Sequence, residues 1–405
     1  MNVLVLGGAG LVGRQIVAAI ANNPLFSQIT IGERNIDEAQ QLAQQFGDNV
    51  SASQLDISDA PALEAVLTGC DIVVSCVGPY YKFGKLVLSA AINAGKHYID
   101  ICDDWEPTLE MLALSETAQA ADVSAIVGMG ASPGTTNLLA VLAHNALDRV
   151  DTLYTIWGVG DMTMEGDNED EEPTSDTALE HWLLQASGTI RVKQNGMLRD
   201  VIPLEEYIIN FPSYGRACCY SLGHPEPVTL PLTFPNIRES LNLMNMPSSV
   251  IGALKKTGQE LDSGESEMPE AVQRLARRLG EDSTTSEVIS NLNFMAELLA
   301  DKMKDIHYVP SLCGMAIGEK DGKPARAGSW CNGFIPGGTG GTTGIPVVAV
   351  LEMMASGEIT KRGVYAPEGA IDAKRYFDYL ERYVTRPKNS ANTPLLRIVI
   401  EKDKA

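Results

Sequence analysis

A chain of 405 residues, 44% hydrophobic and 20% charged, is too long for one small core and has the composition of a two-domain globular protein. Its formal net charge of -21, uninterrupted by any basic stripe, argues against nucleic acid or anionic membrane as a large partner. No run approaches the roughly 18 apolar residues of a membrane span, and a strand-like run from Asn2 leaves no room for a signal segment, so a cytoplasmic protein is expected. The seven cysteines lack C-x-x-C or Cys/His ligand spacing, which predicts reduced thiols and no structural metal.

Up to about residue 130, short apolar runs alternate with helical stretches. The runs "VLVL", "ITIG", "SASQLD", "DIVVSCVG", "HYIDIC" and "SAIVGMG" are bounded by turn residues, as strands buried on both faces are. Between them, "NIDEAQQLAQQFG" pairs Asn35 with Glu38 in a capping box, and "SDAPALEAVLTG" and "KLVLSAAINAG" each stop at glycine. "EPTLEMLALSETAQAA" completes the set. Six strands joined by helical crossovers predict an α/β fold with a doubly wound parallel sheet. After "GMGASPGTTN" the pattern changes: a strand "TLYTIWGVG", an acidic loop "GDNEDEEPTSD", a hairpin turning at Asn195-Gly196, helices within 247–305 and a hairpin turning at Asp321-Gly322. This block reads as α+β with a mostly antiparallel sheet, its edge a dimerisation surface. "PGGTGGTTGIP" reads as a glycine-rich loop feeding the helix "VVAVLEMMASG".

Chemistry concentrates where the parallel strands end. Gly8, Gly10 and Gly13 satisfy G-x-G-x-x-G, and Gly7, Gly10 and Gly13 the G-x-x-G-x-x-G variant, between a strand and an amphipathic helix. Gly8 would permit the turn, Gly10 would let the backbone approach a pyrophosphate and Gly13 would let the helix pack closely; the first-turn amides, at Leu11, Val12 and Gly13, would receive the anion. Glu33, 20 residues past Gly13, would bind the adenosine ribose and favour NAD, while Arg34 would pair with a 2′-phosphate and favour NADP. Asp56 would border the adenine or serve as a helix N-terminal residue. The loop after the fourth strand, with Val77 and Gly78, should face the nicotinamide and substrate, and Tyr80, Tyr81 and Lys82 would orient substrate or move protons. Asp100, Asp103 and Asp104 end the fifth strand at the same rim, as substrate-binding carboxylates or, for the latter two, helix caps. Thr135 and Thr136 would offer backbone donors to a carboxylate, or the turn is a hinge. His224 is the strongest histidine candidate; His97 and His144 read as structural. The "DNEDEE" run reads as a solvated loop.

Together, "VLGGAGLVG", "CVGPYYKFGKLVLSAAINAGKHYID", "GMGASPGTTNLLA" and "GTTGIPVVAVLEMMASGEITKRGVYAPEG" resemble the saccharopine dehydrogenase family, which includes saccharopine reductases and lysine 6-dehydrogenases. The resemblance implies a Rossmann domain over 1–134, an inserted substrate and dimerisation domain over 135–338, and a segment over 339–405 returning to the first domain. It also implies an NAD(P)-dependent hydride transfer at a carbon–nitrogen bond of an amino acid or amino-acid conjugate such as saccharopine, lysine or a carboxylated polyamine. Expected catalytic residues are Tyr80, Asp100, Asp104 and His224. The chain departs from NADP-using saccharopine reductases at Glu33, where they carry a small residue, and "GASPG" departs from their "LDPG". A dinucleotide-binding sensor or scaffold without turnover is the alternative. A short-chain-type reductase is disfavoured, because the one first-domain Y-x-x-x-K match, Tyr81 to Lys85, comes too early in the fold.

Overall fold

The computed structural model describes residues 1–159, 176–280, 284–386 and 393–402. In chain order come β1 (Asn2–Leu6), α1 (Leu11–Ile20), β2 (Gln28–Glu33), α2 (Ile36–Ala43), β3 (Val50–Gln54), α3 (Ala60–Leu67), β4 (Ile72–Ser75), α4 (Tyr80–Asn93), β5 (His97–Asp100), α5 (Trp105–Leu112), α6 (Ser115–Ala120), β6 (Ser124–Ile126) and α7 (Thr135–Ala146). Next are β7 (Arg149–Gly158), α8 (Asp176–Gln185), β8 (Ile190–Gln194), β9 (Met197–Val201), β10 (Glu206–Phe211), β11 (Gly215–Ser221), α9 (Glu226–Thr233), β12 (Glu239–Asn245), α10 (Ser248–Asp262), α11 (Met268–Leu279), α12 (Thr284–Met303), β13 (Leu312–Lys320) and β14 (Lys323–Cys331). The chain closes with α13 (Gly338–Ala355), β15 (Gly363–Tyr365), α14 (Pro367–Ala370), α15 (Ala373–Leu380) and β16 (Leu396–Lys402).

Two compact units divide inside α7. The first contains Met1–Leu138 and, among the described residues, 333–386. Its seven strands run in the order β15-β6-β5-β4-β1-β2-β3, all parallel, with β1 between β4 and β2 at the switch point. Short β-branched runs suit this position, because both faces are covered: Leu4, Leu6, Val73, Tyr98 and Ala125 pack with Val87 and Leu88 of α4 in one apolar cluster. The seventh strand, β15, goes beyond the six expected from the sequence. Two helix boundaries also differ: α4 starts at Tyr80 rather than near Lys85, and the stretch after Asp104 forms two helices, α5 and α6.

The glycine-rich "PGGTGGTTGIP" is not a loop. Most of it is the first half of α13, whose glycines bring it against α1: a Cβ on Gly340 would lie 2.6 Å from the Leu11 carbonyl, and one on Gly344 would lie 3.1 Å from that of Val12.

The second unit, with 139–159, 176–280, 284–332 and 393–402 among the described residues, is built on a nine-stranded sheet. It is antiparallel except between β12 and β7, as a mostly antiparallel sheet requires. Both expected hairpins form, with left-handed Asn195-Gly196 (φ 53° and 80°) and Asp321-Gly322 (φ 52° and 69°). The final strand corrects one expectation: β16 pairs with β14 in this sheet, so the end of 339–405 does not return to the first unit. The acidic run lies outside the described residues.

Candidate functional site

The turn from β1 into α1 is set by three glycines with three different causes. Gly7, not Gly8, takes the left-handed conformation, with φ +71°. Its Cβ position would face the Cys76 carbonyl at 3.0 Å and Val77 Cγ2 at 3.1 Å, so the turn abuts the loop that follows β4. A Cβ on Gly13 would collide with the Gly7 carbonyl and stand 2.6 Å from Gly8 Cα; glycine here is a packing requirement. Gly10 is different. Around its Cβ position only the Gly7 carbonyl comes within 4 Å, at 3.3 Å, and its φ of -69° suits any residue.

Gly10 is also the N-cap of α1 and offers no capping side chain. Among the described residues, no carbonyl or side chain accepts from the amides of Leu11, Val12 and Gly13; the first intrahelical bond is Arg14 N–H to the Gly10 carbonyl, at 3.0 Å. Unpaired first-turn donors at the positive end of a helix dipole fit a diphosphate. Arg14 folds back to donate to the Ala9 carbonyl at 3.0 Å, bracing the turn.

Glu33 ends β2, the neighbour of β1, and is half-buried, with Oε1 accepting from the Arg34 amide at 3.0 Å. Arg34 is exposed beside it. Asp56 accepts from both the amide (2.9 Å) and the hydroxyl (2.6 Å) of Ser58, and these bonds hold its carboxyl below the usual range. Its local turn role is therefore established. The charges of Arg34 and Lys82 lower it further.

On the other side of the switch point, two expected substrate-facing residues turn inward. Tyr80 is only 4% exposed and donates to the Ser75 carbonyl at 2.8 Å, and burial pushes its phenol far above its ordinary range. Asp100 is wholly buried, Oδ1 accepting from the amides of Gly128 (2.7 Å) and Cys102 (3.0 Å). Burial raises its carboxyl to about 6. Asp104 is the N-cap residue of α5, half-buried, with a side chain that makes no capping bond. Tyr81, by contrast, is 68% exposed on the first turn of α4. Its partner in the Y-x-x-x-K pattern, Lys85, reaches Glu110 at 3.8 Å.

The turn after β6 also departs from expectation. The amides of Thr135 and Thr136 are spent on the carbonyls of Gly130 (2.9 Å) and Ala131 (3.0 Å), and Gly134 donates to Asn137 Oδ1 (2.8 Å). Asn137 in turn donates to Glu368 Oε2 at 2.8 Å, and the Thr135 hydroxyl meets that of Tyr376 at 2.7 Å. The two threonine amides expected to receive a carboxylate are therefore already taken. His97 accepts from the Ser124 amide at 3.1 Å and is structural, as expected.

Within the second unit, His224 is buried in a polar network. Nδ1 faces Glu226 Oε2 at 3.3 Å and Nε2 faces Gln185 Oε1 at 3.1 Å. Glu226 accepts from Asn242 at 2.9 Å, which also accepts from the Trp157 indole at 3.0 Å. Both ring nitrogens are thus committed to side chains of this unit.

A parallel sheet in the order seen here, a glycine turn with unpaired helix amides at its switch point, and an acid ending the adjacent strand define a dinucleotide-binding Rossmann protein. The chain belongs to the saccharopine dehydrogenase family: residues 3–126 match the saccharopine dehydrogenase NADP binding domain and residues 130–386 the saccharopine dehydrogenase C-terminal domain. The NADP binding domain of that family thus falls on the glycine turn and the strand ends described above. The saccharopine dehydrogenase-like oxidoreductase of Rattus norvegicus is 28% identical over 137 residues, 30% of this chain and 32% of that protein. The lipid droplet localized protein of Caenorhabditis elegans is 27% identical over 109 residues, 25% of this chain and 26% of that protein. The chain thus spans between 26% and 32% of the length of these relatives. Among solved structures, saccharopine dehydrogenase (L-Glu forming) of Saccharomyces cerevisiae shares the fold over 100% of both chains at 16% identity, with a TM-score of 0.58. The homospermidine synthase of Legionella pneumophila, in complex with NAD, shares it over 95% of this chain and 90% of that one at 12% identity, with a TM-score of 0.53. No helix among the described residues is long and apolar enough to cross a membrane.

Proposed function

We propose that this protein is an NAD(P)-dependent oxidoreductase acting at a carbon–nitrogen bond of an amino acid or amino-acid conjugate, with saccharopine, lysine and carboxylated polyamines as the substrate class. The observation that carries the redox reading is the unpaired amide trio of Leu11, Val12 and Gly13 behind an open Gly10. The carbon–nitrogen specificity is supported by the family and by two fold relatives, a saccharopine dehydrogenase and a homospermidine synthase. When bound, the dinucleotide supplies a hydride equivalent; the chain's part is to hold it. Leu11, Val12 and Gly13 bind the diphosphate, Glu33 accepts from the ribose hydroxyls and favours NAD over NADP, and Val77 and Gly78 flank the nicotinamide half. Asp104 is the remaining first-unit candidate for contact with a substrate amine.

The proposal extends to a cytoplasmic homodimer. It is supported by β9, whose one strand partner among the described residues is β8 and whose Met197 and Leu198 are exposed. Absorbance at the reduced-nicotinamide band, with NAD and NADP against a panel of amino acids, keto acids and polyamines, tests the activity. Turnover with an amine or imine supports it. A second reading, a dinucleotide-binding sensor without turnover, is favoured by the inward-facing Tyr80 and Asp100, and tight binding with no turnover across the panel would select it.

A further inference from the structure

The dinucleotide reading leaves Asp100 without a direct task, yet the chain buries it completely at the end of β5. It sits in the register of Ser75 on β4, so the two side chains share a face of the sheet with Tyr98. Asp100 Oδ2, Tyr98 Oη and Ser75 Oγ are all buried, and the Tyr98 phenol interacts with both the Asp100 carboxylate and the Ser75 hydroxyl without a hydrogen bond of good geometry. Leaving a carboxylate there costs stability, so a compensating use is expected. The use is visible at Oδ1. That one atom accepts from Gly128, just beyond β6, and from Cys102, just beyond β5, while the Asp100 carbonyl accepts from Met129 at 2.7 Å. Gly128 is left-handed, with φ +75°, and its Cβ position faces the Cys102 carbonyl at 3.0 Å, so the two segments touch where the carboxylate joins them.

These segments leave the carboxyl ends of β5 and β6, on the side of the switch point opposite Glu33. A dinucleotide held by its adenosine at β2 extends its other half toward them. Resting on that reading of the site, we infer that Asp100 is a positioning residue: its carboxylate ties the loops after β5 and β6 into one wall for the nicotinamide end, without touching the cofactor. A carboxylate suits this because one oxygen accepts two N–H groups at once.

The test compares NADH with ADP-ribose, which lacks the nicotinamide, by calorimetric titration of the full chain. Wild type should bind NADH more tightly than ADP-ribose. Asp100→Ala should keep ADP-ribose affinity within about threefold and weaken NADH about tenfold, and Asp100→Asn, which retains an acceptor oxygen, should recover most of that loss. An unchanged NADH preference in Asp100→Ala, or no preference in wild type, overturns the inference while leaving the dinucleotide site standing. Failure of wild type to bind either ligand overturns the site reading itself. Should Asp100→Ala not fold, amide exchange in wild type decides: NADH, and not ADP-ribose, should slow exchange at Cys102 and Gly128. Equal slowing by both, or by neither, contradicts the role.

Discussion

Two turns in the first unit look alike in sequence and differ in what they do with their backbone. "GGAGLVG" after β1 and "GMGASPG" after β6 each carry glycines from a parallel strand into a helix. After β6, a Cβ on Gly134 would strike the Gly130 backbone, φ there is +119°, and the amides of Thr135 and Thr136 are spent within the turn. After β1, Gly7 and Gly13 have internal reasons of the same kind, but Gly10 has only a 3.3 Å approach to the Gly7 carbonyl and three amides stay unpaired. Glycine density marks a close approach of backbone to something; what is being approached is decided by which donors are already used.

Substitution should separate the two turns. Gly134→Val places a side chain at a left-handed position against backbone, and should lower stability by about 3 kcal/mol or more, read as a lost or strongly lowered thermal transition. Gly10→Val should leave the transition nearly in place and weaken dinucleotide binding at least about 100-fold, about 3 kcal/mol, in the same calorimetric assay. Equal stability losses in both variants would erase the distinction.

The buried anchor of the second turn has a pH signature. Burial lifts Asp100 from 3.8 to about 6, with Asp103 as a nearby like charge. Between those values the folded chain holds a proton that the unfolded chain has released. The group's favourable contribution is therefore present below about pH 4 and is lost as pH rises through about 6. Asp100→Asn removes this titration, so its stability relative to wild type should climb by on the order of 2 kcal/mol from pH 4 to 6 and stay level above. Denaturant midpoints across that range check it; a flat difference refutes the assignment. The smallest effect is expected at the other rim: Glu33→Gln should move the NAD-to-NADP affinity ratio toward NADP by about tenfold.

Much of the first unit could be read in advance because strands buried on both faces announce themselves as short apolar runs, and the glycine spacing placed the site at the first of them. β15 was not legible, since three residues, "GVY", carry no period. Nor was the first half of α13, because glycine and Pro346 have poor helix propensity, and it is packing against α1 that overrides it. Tyr80 and Asp100 were assigned to the right strand ends but the wrong direction. Position along a strand locates a rim, whereas burial depends on α4 and the β6 loop folding over it. The pairing of β16 with β14 joins residues about 70 apart, a separation that local pattern does not reach.

Hydrogen exchange at Leu11, Val12 and Gly13, measured with and without saturating NADH, bears most directly on the central claim. Main-chain capture of a diphosphate predicts that these three amides, exchanging freely without ligand, become protected when it binds. If NADH binds and they exchange as fast as before, the diphosphate lies elsewhere and the account of this turn is wrong.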